Sequence, residues 1–260
     1  MKKNKLLQSV FIIIVFLFAL NGRRLLEVYF TVSIDAPFVK LLYSYAWWIV
    51  PISLAVGLLY GFKNILKELC LDKNILYGLL FSIIVVSPML ISSALIGKID
   101  KEIDVTTLLH KTLFAGFMEE VLFRGFLFGL LFRRTGWGFI PATVLGAVIF
   151  AFGHLYQGSD TNELIGIFLV TFVGSAWFAW LFIEWKENLW IPIFLHIFMN
   201  LSWTLFNVSD NALGNVYTNI FRFITIALTV VATIVYNNRK NKFTVNGKNL
   251  LINKTIGNNA

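Results

Sequence analysis

Gly116-Phe117-Met118-Glu119-Glu120-Val121-Leu122-Phe123-Arg124-Gly125 sets two adjacent carboxylates and a guanidinium inside an apolar stretch. The surrounding residues, 107–131, are long and apolar enough to cross a bilayer as a helix. The chain carries 14 acidic residues, and Glu119 and Glu120 are the pair that fall deep within such a span. A charge at bilayer depth costs roughly 3 kcal/mol on insertion scales. Charges retained there call for a chemical reason.

Working outward, apolar segments of this kind recur from end to end. The chain of 260 residues is 58% hydrophobic and only 14% charged, with a mean hydropathy of +0.76. A soluble domain of this length needs far more polar surface. The sequence therefore reads as an all-α polytopic membrane protein with about eight spans, near 6–22, 38–60, 75–97, 107–131, 138–157, 163–184, 189–206 and 217–236. Connections are short and rich in Asn, Asp, Gly and Lys. Residues 237–260 are polar and basic and read as a flexible tail.

The first segment resembles a signal peptide, with a basic start at Lys2, Lys3 and Lys5 and an apolar run from Leu6 to Leu20. No small-x-small cleavage site follows, so it reads as an uncleaved first helix. The net charge of +8 is spread over loops and the C-terminal tail. It reads as membrane topology, not as nucleic-acid binding. With an even number of spans both termini share a side. That side would hold Lys2, Lys3, Lys5, Lys63, Lys67, Lys73, Arg133, Arg134, Lys186, Arg239, Lys240, Lys242, Lys248 and Lys254. The other would hold Arg23, Arg24, Lys40, Lys98, Lys101, Lys111 and Arg222. The bias places the termini in the cytoplasm. Composition suggests a bacterial plasma membrane. The single cysteine, Cys70, excludes an intrachain disulfide. Oligomeric state has no signature in the sequence.

Glu120 and Arg124 lie four residues apart, which places them on one helix face where they can pair. Glu119 is offset by about 100° and is free to face a polar cavity. A brace explains the first pair; an unpaired carboxylate has no structural use. Two of the three histidines fall in later spans, in Phe150-Ala151-Phe152-Gly153-His154 and His196-Ile197-Phe198-Met199-Asn200. His196 and Asn200 again share a face. The third, His110, precedes the glutamates and reads as interfacial.

Glu-Glu-x-x-x-Arg, Phe-x-x-x-His and His-x-x-x-Asn, in that order on apolar spans, resemble the CPBP family of CAAX prenyl proteases and bacteriocin-processing or immunity (Abi) membrane proteases. The likeness covers about residues 107–206, which would form a four-helix catalytic core. Residues 1–106 would supply three preceding helices, 207–236 a last helix and 237–260 the tail. The resemblance implies a membrane endopeptidase in which Glu119 activates water, with His154, His196 and Asn200 around the same cavity, binding a metal or stabilising the oxyanion. Glu120, Arg124 and Phe150 would support them. It also raises a Zn²⁺ site at Glu119, His154 and His196. No His-Glu-x-x-His is present, and a metal-free route through Glu119 stands beside it. The substrate would be a small peptide or membrane protein in contact with the bilayer. A proton- or ion-coupled transporter and a non-catalytic immunity protein are the competing readings. One mismatch stands out: His154 lies about sixteen residues into its span and His196 about seven, a difference of roughly 14 Å in depth at 1.5 Å per residue. Either the fifth span begins later, near Thr143, or the helices are tilted or shifted.

Overall fold

The computed structural model describes residues 4–29, 32–239 and 243–255. The N-terminal bases Lys2 and Lys3, the tail bases Lys240 and Lys242, and residues 256–260 lie outside the described residues. The chain is an all-α polytopic membrane protein. Six helices are long and apolar enough to cross a membrane. We label them α1 (Lys5–Leu26), α2 (Pro37–Tyr60), α3 (Ile75–Ile96), α5 (Phe139–Gly153), α6 (Thr161–Glu184) and α8 (Val216–Asn238). Helix α4, residues 105–135, is a succession of α and π segments. Helix α7 is Trp190–Leu205, apolar and 16 residues long. Among the described residues the only β pairing is a single antiparallel bridge between Trp137 and Ile252.

Composition drives these helices outward as well as inward. Leu58, Ile84, Leu95 and Val231 are all exposed. Large apolar side chains facing outward on every long helix suit a lipid solvent. Helix starts follow capping chemistry: Asn4, Asn74, Asp104, Asp160 and Asn215 each accept a backbone N–H in the first turn of α1, α3, α4, α6 and α8.

Helix α7 is the short central element. It packs most heavily on α3 and next on α4, while α5 pairs with α6, α1 with α2 and α8 with α3. Ser82 of α3 donates to the Ile191 carbonyl of α7 at 3.2 Å, which fixes their register. One core gathers Ile12, Phe16, Ile52, Leu122, Phe126 and Ile193; a second gathers Val86, Met89, Leu181 and Leu195.

The C-terminal tail departs from the flexible segment its composition suggests. Helix α5 begins at Gly138 with no side-chain cap. The N–H groups of Gly138, Phe139 and Ile140 donate instead to the carbonyls of Leu251, Asn249 and Leu250, at 3.2, 2.8 and 2.9 Å. Residues 243–255 thus satisfy the open donors of a helix start. Glu184, buried at the end of α6, accepts from Asn237 Nδ2, Thr244 N and Val245 N at 2.8, 3.0 and 3.0 Å. Asn253 donates to the Phe132 carbonyl at 2.9 Å. Polar residues here are structural because each meets an unsatisfied backbone group. Truncation after Lys242 is expected to lower stability by about 2 kcal/mol, since Glu184 and the first turn of α5 lose their partners. A detergent-solubilised melting curve indistinguishable from that of the full chain would show the tail to be inert.

The tail end of the bundle also gathers the Glu68–Arg134 pair, the Arg133 Nε–Glu187 ion pair at 3.8 Å and the first turn of α1 near Gly136. The opposite end carries Arg23, Arg24, Lys111 and the 206–215 loop, where the Lys98 N–H donates to the Phe206 carbonyl at 3.1 Å.

Candidate active site

Glu119 and Glu120 close the α segment Ala115–Glu120, between π segments at His110–Phe114 and Val121–Phe128. Such π turns are rare and concentrate at functional positions. They are locally permitted: a Cβ at Gly129 would sit 2.6 Å from the Arg124 carbonyl, the acceptor five residues back.

Glu120 and Arg124 are fully buried. Arg124 Nη1 donates to Glu120 Oε1 at 3.0 Å. Its guanidinium also lies 4.8 Å from the Phe150 ring centroid and 5.5 Å from that of Phe178. Aromatic faces shield and stabilise the cation where water cannot. Phe150 therefore supports Arg124, and its ring meets that of His154 at 4.3 Å.

Helix α7 brings the third charge partner. His196 Nδ1 lies 2.8 Å from Glu120 Oε1, and its Nε2 is 3.8 Å from Glu119 Oε2. This approach depends on Gly116: a Cβ there would meet Ile197 Cγ1 at 2.7 Å and Ile197 N at 2.8 Å. Gly116→Val is expected to push α7 away from α4. It should cost about 1–3 kcal/mol from overpacking and remove most activity through His196. A variant with wild-type melting temperature and turnover would contradict this.

Glu119 faces two ways. It approaches His196 on one side and lines a cavity of about 800 Å³ on the other. His154, His110, Tyr45, Trp48, Arg23 and Arg24 also line that cavity. Glu119 Oε2 is buried and accepts no hydrogen bond from the described residues. His154 Nδ1 lies 2.8 Å from the Phe150 carbonyl. A carbonyl only accepts, so the proton sits on Nδ1 and the Nε2 lone pair is available.

The candidate residues are not gathered at one point. Glu119, Glu120, Arg124 and His196 form one contiguous group, and Phe150 links it to His154. Asn200 stands one turn beyond His196, where its Nδ2 donates to the Lys111 carbonyl at 2.9 Å; it is not among the residues lining the cavity. Helix α5 begins at Phe139, not near Thr143, and His154 caps its far end. Glu119 lines the cavity with His154 and also approaches His196. His110, which reads as interfacial in the sequence, also lines the cavity. Its only sequence signal was its position nine residues ahead of Glu119, which carries no periodicity.

Among the described residues no three His, Cys, Asp or Glu side chains are arranged to hold a metal ion. His196 Nδ1 lies against Glu120 and His154 Nδ1 against a carbonyl, so Nε2 is the ring nitrogen left open on each.

Residues 102–202 match the family described as Type II CAAX prenyl endopeptidase Rce1-like. A CAAX-protease domain is thus present over part of the chain, consistent with the broader CPBP/Abi superfamily, and it supports a hydrolase function in general. No curated protein and no solved structure matched the chain.

Proposed function

We propose that the chain is an intramembrane endopeptidase that hydrolyses a peptide bond in a membrane-associated or small peptide substrate, with Glu119 as the general base. The observation that carries the reading is Glu119 on the wall of an 800 Å³ cavity, with its Oε2 hydrogen-bonded to none of the described residues. Glu120 is neutralised by Arg124, so the carboxylate left to do chemistry is Glu119.

The mechanism follows from the donors and acceptors. Glu119 takes a proton from water, and the water oxygen adds to the scissile carbonyl. The carbonyl π electrons pass to its oxygen. The C–N bond then breaks as Glu119 returns its proton to the leaving amine. His154 Nε2 is placed to hold the attacking water or the amine. The Glu120 carboxylate orients His196, whose Nε2 lies 3.8 Å from Glu119 Oε2. A low-dielectric surrounding strengthens each of these interactions.

The excess of bases on the termini-bearing side supports cytoplasmic termini in this reading. Peptide maturation or self-immunity is the role that suits a membrane peptidase acting on small peptides.

The test is a comparison of new protein N-termini in membranes of cells expressing the wild type or Glu119→Gln. A set of termini present with wild type and absent with the variant is expected. Identical sets would defeat the reading and favour a binding or transport role.

A further inference from the structure

Part of the lining of the cavity that holds Glu119 comes from α2, outside the matched residues 102–202. Tyr45 on that helix is 7% exposed. Its ring is held on three sides: edge-on to Trp48 at 5.3 Å, edge-on to His110 at 5.9 Å and stacked on Phe114 at 5.7 Å. Tyr45 lines the cavity together with Glu119 and His154. Its hydroxyl has no hydrogen-bond partner among the described residues. A fully buried tyrosine hydroxyl needs a partner inside the protein; this one stays accessible from the cavity and can meet a ligand there. A ring so firmly packed with a free O–H facing a cavity is arranged for a ligand's acceptor.

The reaction needs such a donor. Hydrolysis places negative charge on the carbonyl oxygen, and a fixed donor aimed at it supplies much of the rate. The side chains named for that task are otherwise engaged. Asn200 donates to Lys111 away from the cavity lining, and His196 Nδ1 is bound to Glu120.

We propose that Tyr45 is a catalytic residue whose hydroxyl donates a hydrogen bond to the scissile carbonyl oxygen as it becomes the tetrahedral oxyanion. This rests on the hydrolase reading above. The Tyr45 proton stays on its oxygen throughout: the bond from water oxygen to carbon forms, the carbonyl π pair moves to oxygen, and the water proton travels through Glu119 to the departing amine. The N-terminal helices thereby add a donor to a cavity that they share with His110, Glu119, His154 and Tyr156 of the matched stretch.

The test uses the purified full chain and an internally quenched peptide. The peptide copies the most abundant site cleaved in cells by wild type and not by Glu119→Gln. Tyr45→Phe keeps every ring contact and removes only the hydroxyl. Its kcat is expected to fall roughly 10²-fold, the scale for loss of one oxyanion donor, with KM within about twofold and an unchanged melting temperature. A phosphinate analogue of the same peptide, which mimics the tetrahedral state, should lose affinity by the same factor as kcat. A structural role would move KM and melting together and leave no such match. Tyr45→Phe turnover within about threefold of wild type, with Glu119→Gln inactive, would overturn the Tyr45 assignment alone. Full activity of Glu119→Gln would instead overturn the hydrolase reading beneath it.

Discussion

Glu119→Gln is expected to lower kcat on the quenched peptide by about 10³-fold or more, within the range for loss of a general base. The amide fills the same volume but cannot accept the water proton. Stability should be unaffected or slightly improved. Glu119 Oε2 has no hydrogen-bond partner among the described residues, so the substitution removes a half-buried charge without leaving another uncompensated. This pairing of outcomes separates a reacting carboxylate from a structural one. A variant that lost activity together with its melting transition would place Glu119 in the scaffold. Comparison of rates and melting curves in the same detergent checks it.

The second large effect is on stability. Arg124→Leu strips the counter-ion from Glu120, which is fully buried. Breaking one side of a buried pair costs about 3–5 kcal/mol because a charge is left uncompensated. For a chain of this size that corresponds to a fall in melting temperature on the order of 10 °C. Replacing both partners, Glu120→Leu with Arg124→Leu, should recover most of that loss, since the cavity between Phe123, Phe150 and Phe178 is already aromatic. The double variant should still be inactive, because His196 Nδ1 loses the carboxylate that orients it. Thermal melts of the two variants, with turnover of the double, measure this. An Arg124→Leu protein melting within about 2 °C of wild type would show the pair to be energetically idle.

Much of the fold was legible because its signal is compositional. Apolar length marks α1, α2, α3, α5, α6 and α8 directly. It is weaker for α7, whose 16 residues fall short of a full span, and for α4, where π turns interrupt the α pattern. Those turns leave no local signature beyond glycines such as Gly129. The proximity of Glu120 and Arg124 follows from their spacing on one helix. The bond from His196 to Glu120 does not, because it is set by how closely α7 approaches Gly116. Tyr45 and His110 were illegible for the opposite reason. An aromatic ring in a span reads as lipid-facing or core, and only the packing of α2 against α4 turns both toward the cavity. The tail misled because polar residues usually imply solvent, whereas here Asn249, Asn253 and their neighbours answer unsatisfied groups on α4 and α5.

The most direct test of the central claim is turnover of the quenched peptide in ¹⁸O-water by the full chain. Hydrolysis by water activated on Glu119 predicts one ¹⁸O in the new C-terminal carboxylate of the product. It predicts none in the peptide that carries Glu119, and no labelled product from Glu119→Gln. Label appearing on Glu119 itself, or labelled product from Glu119→Gln at the wild-type rate, would contradict it.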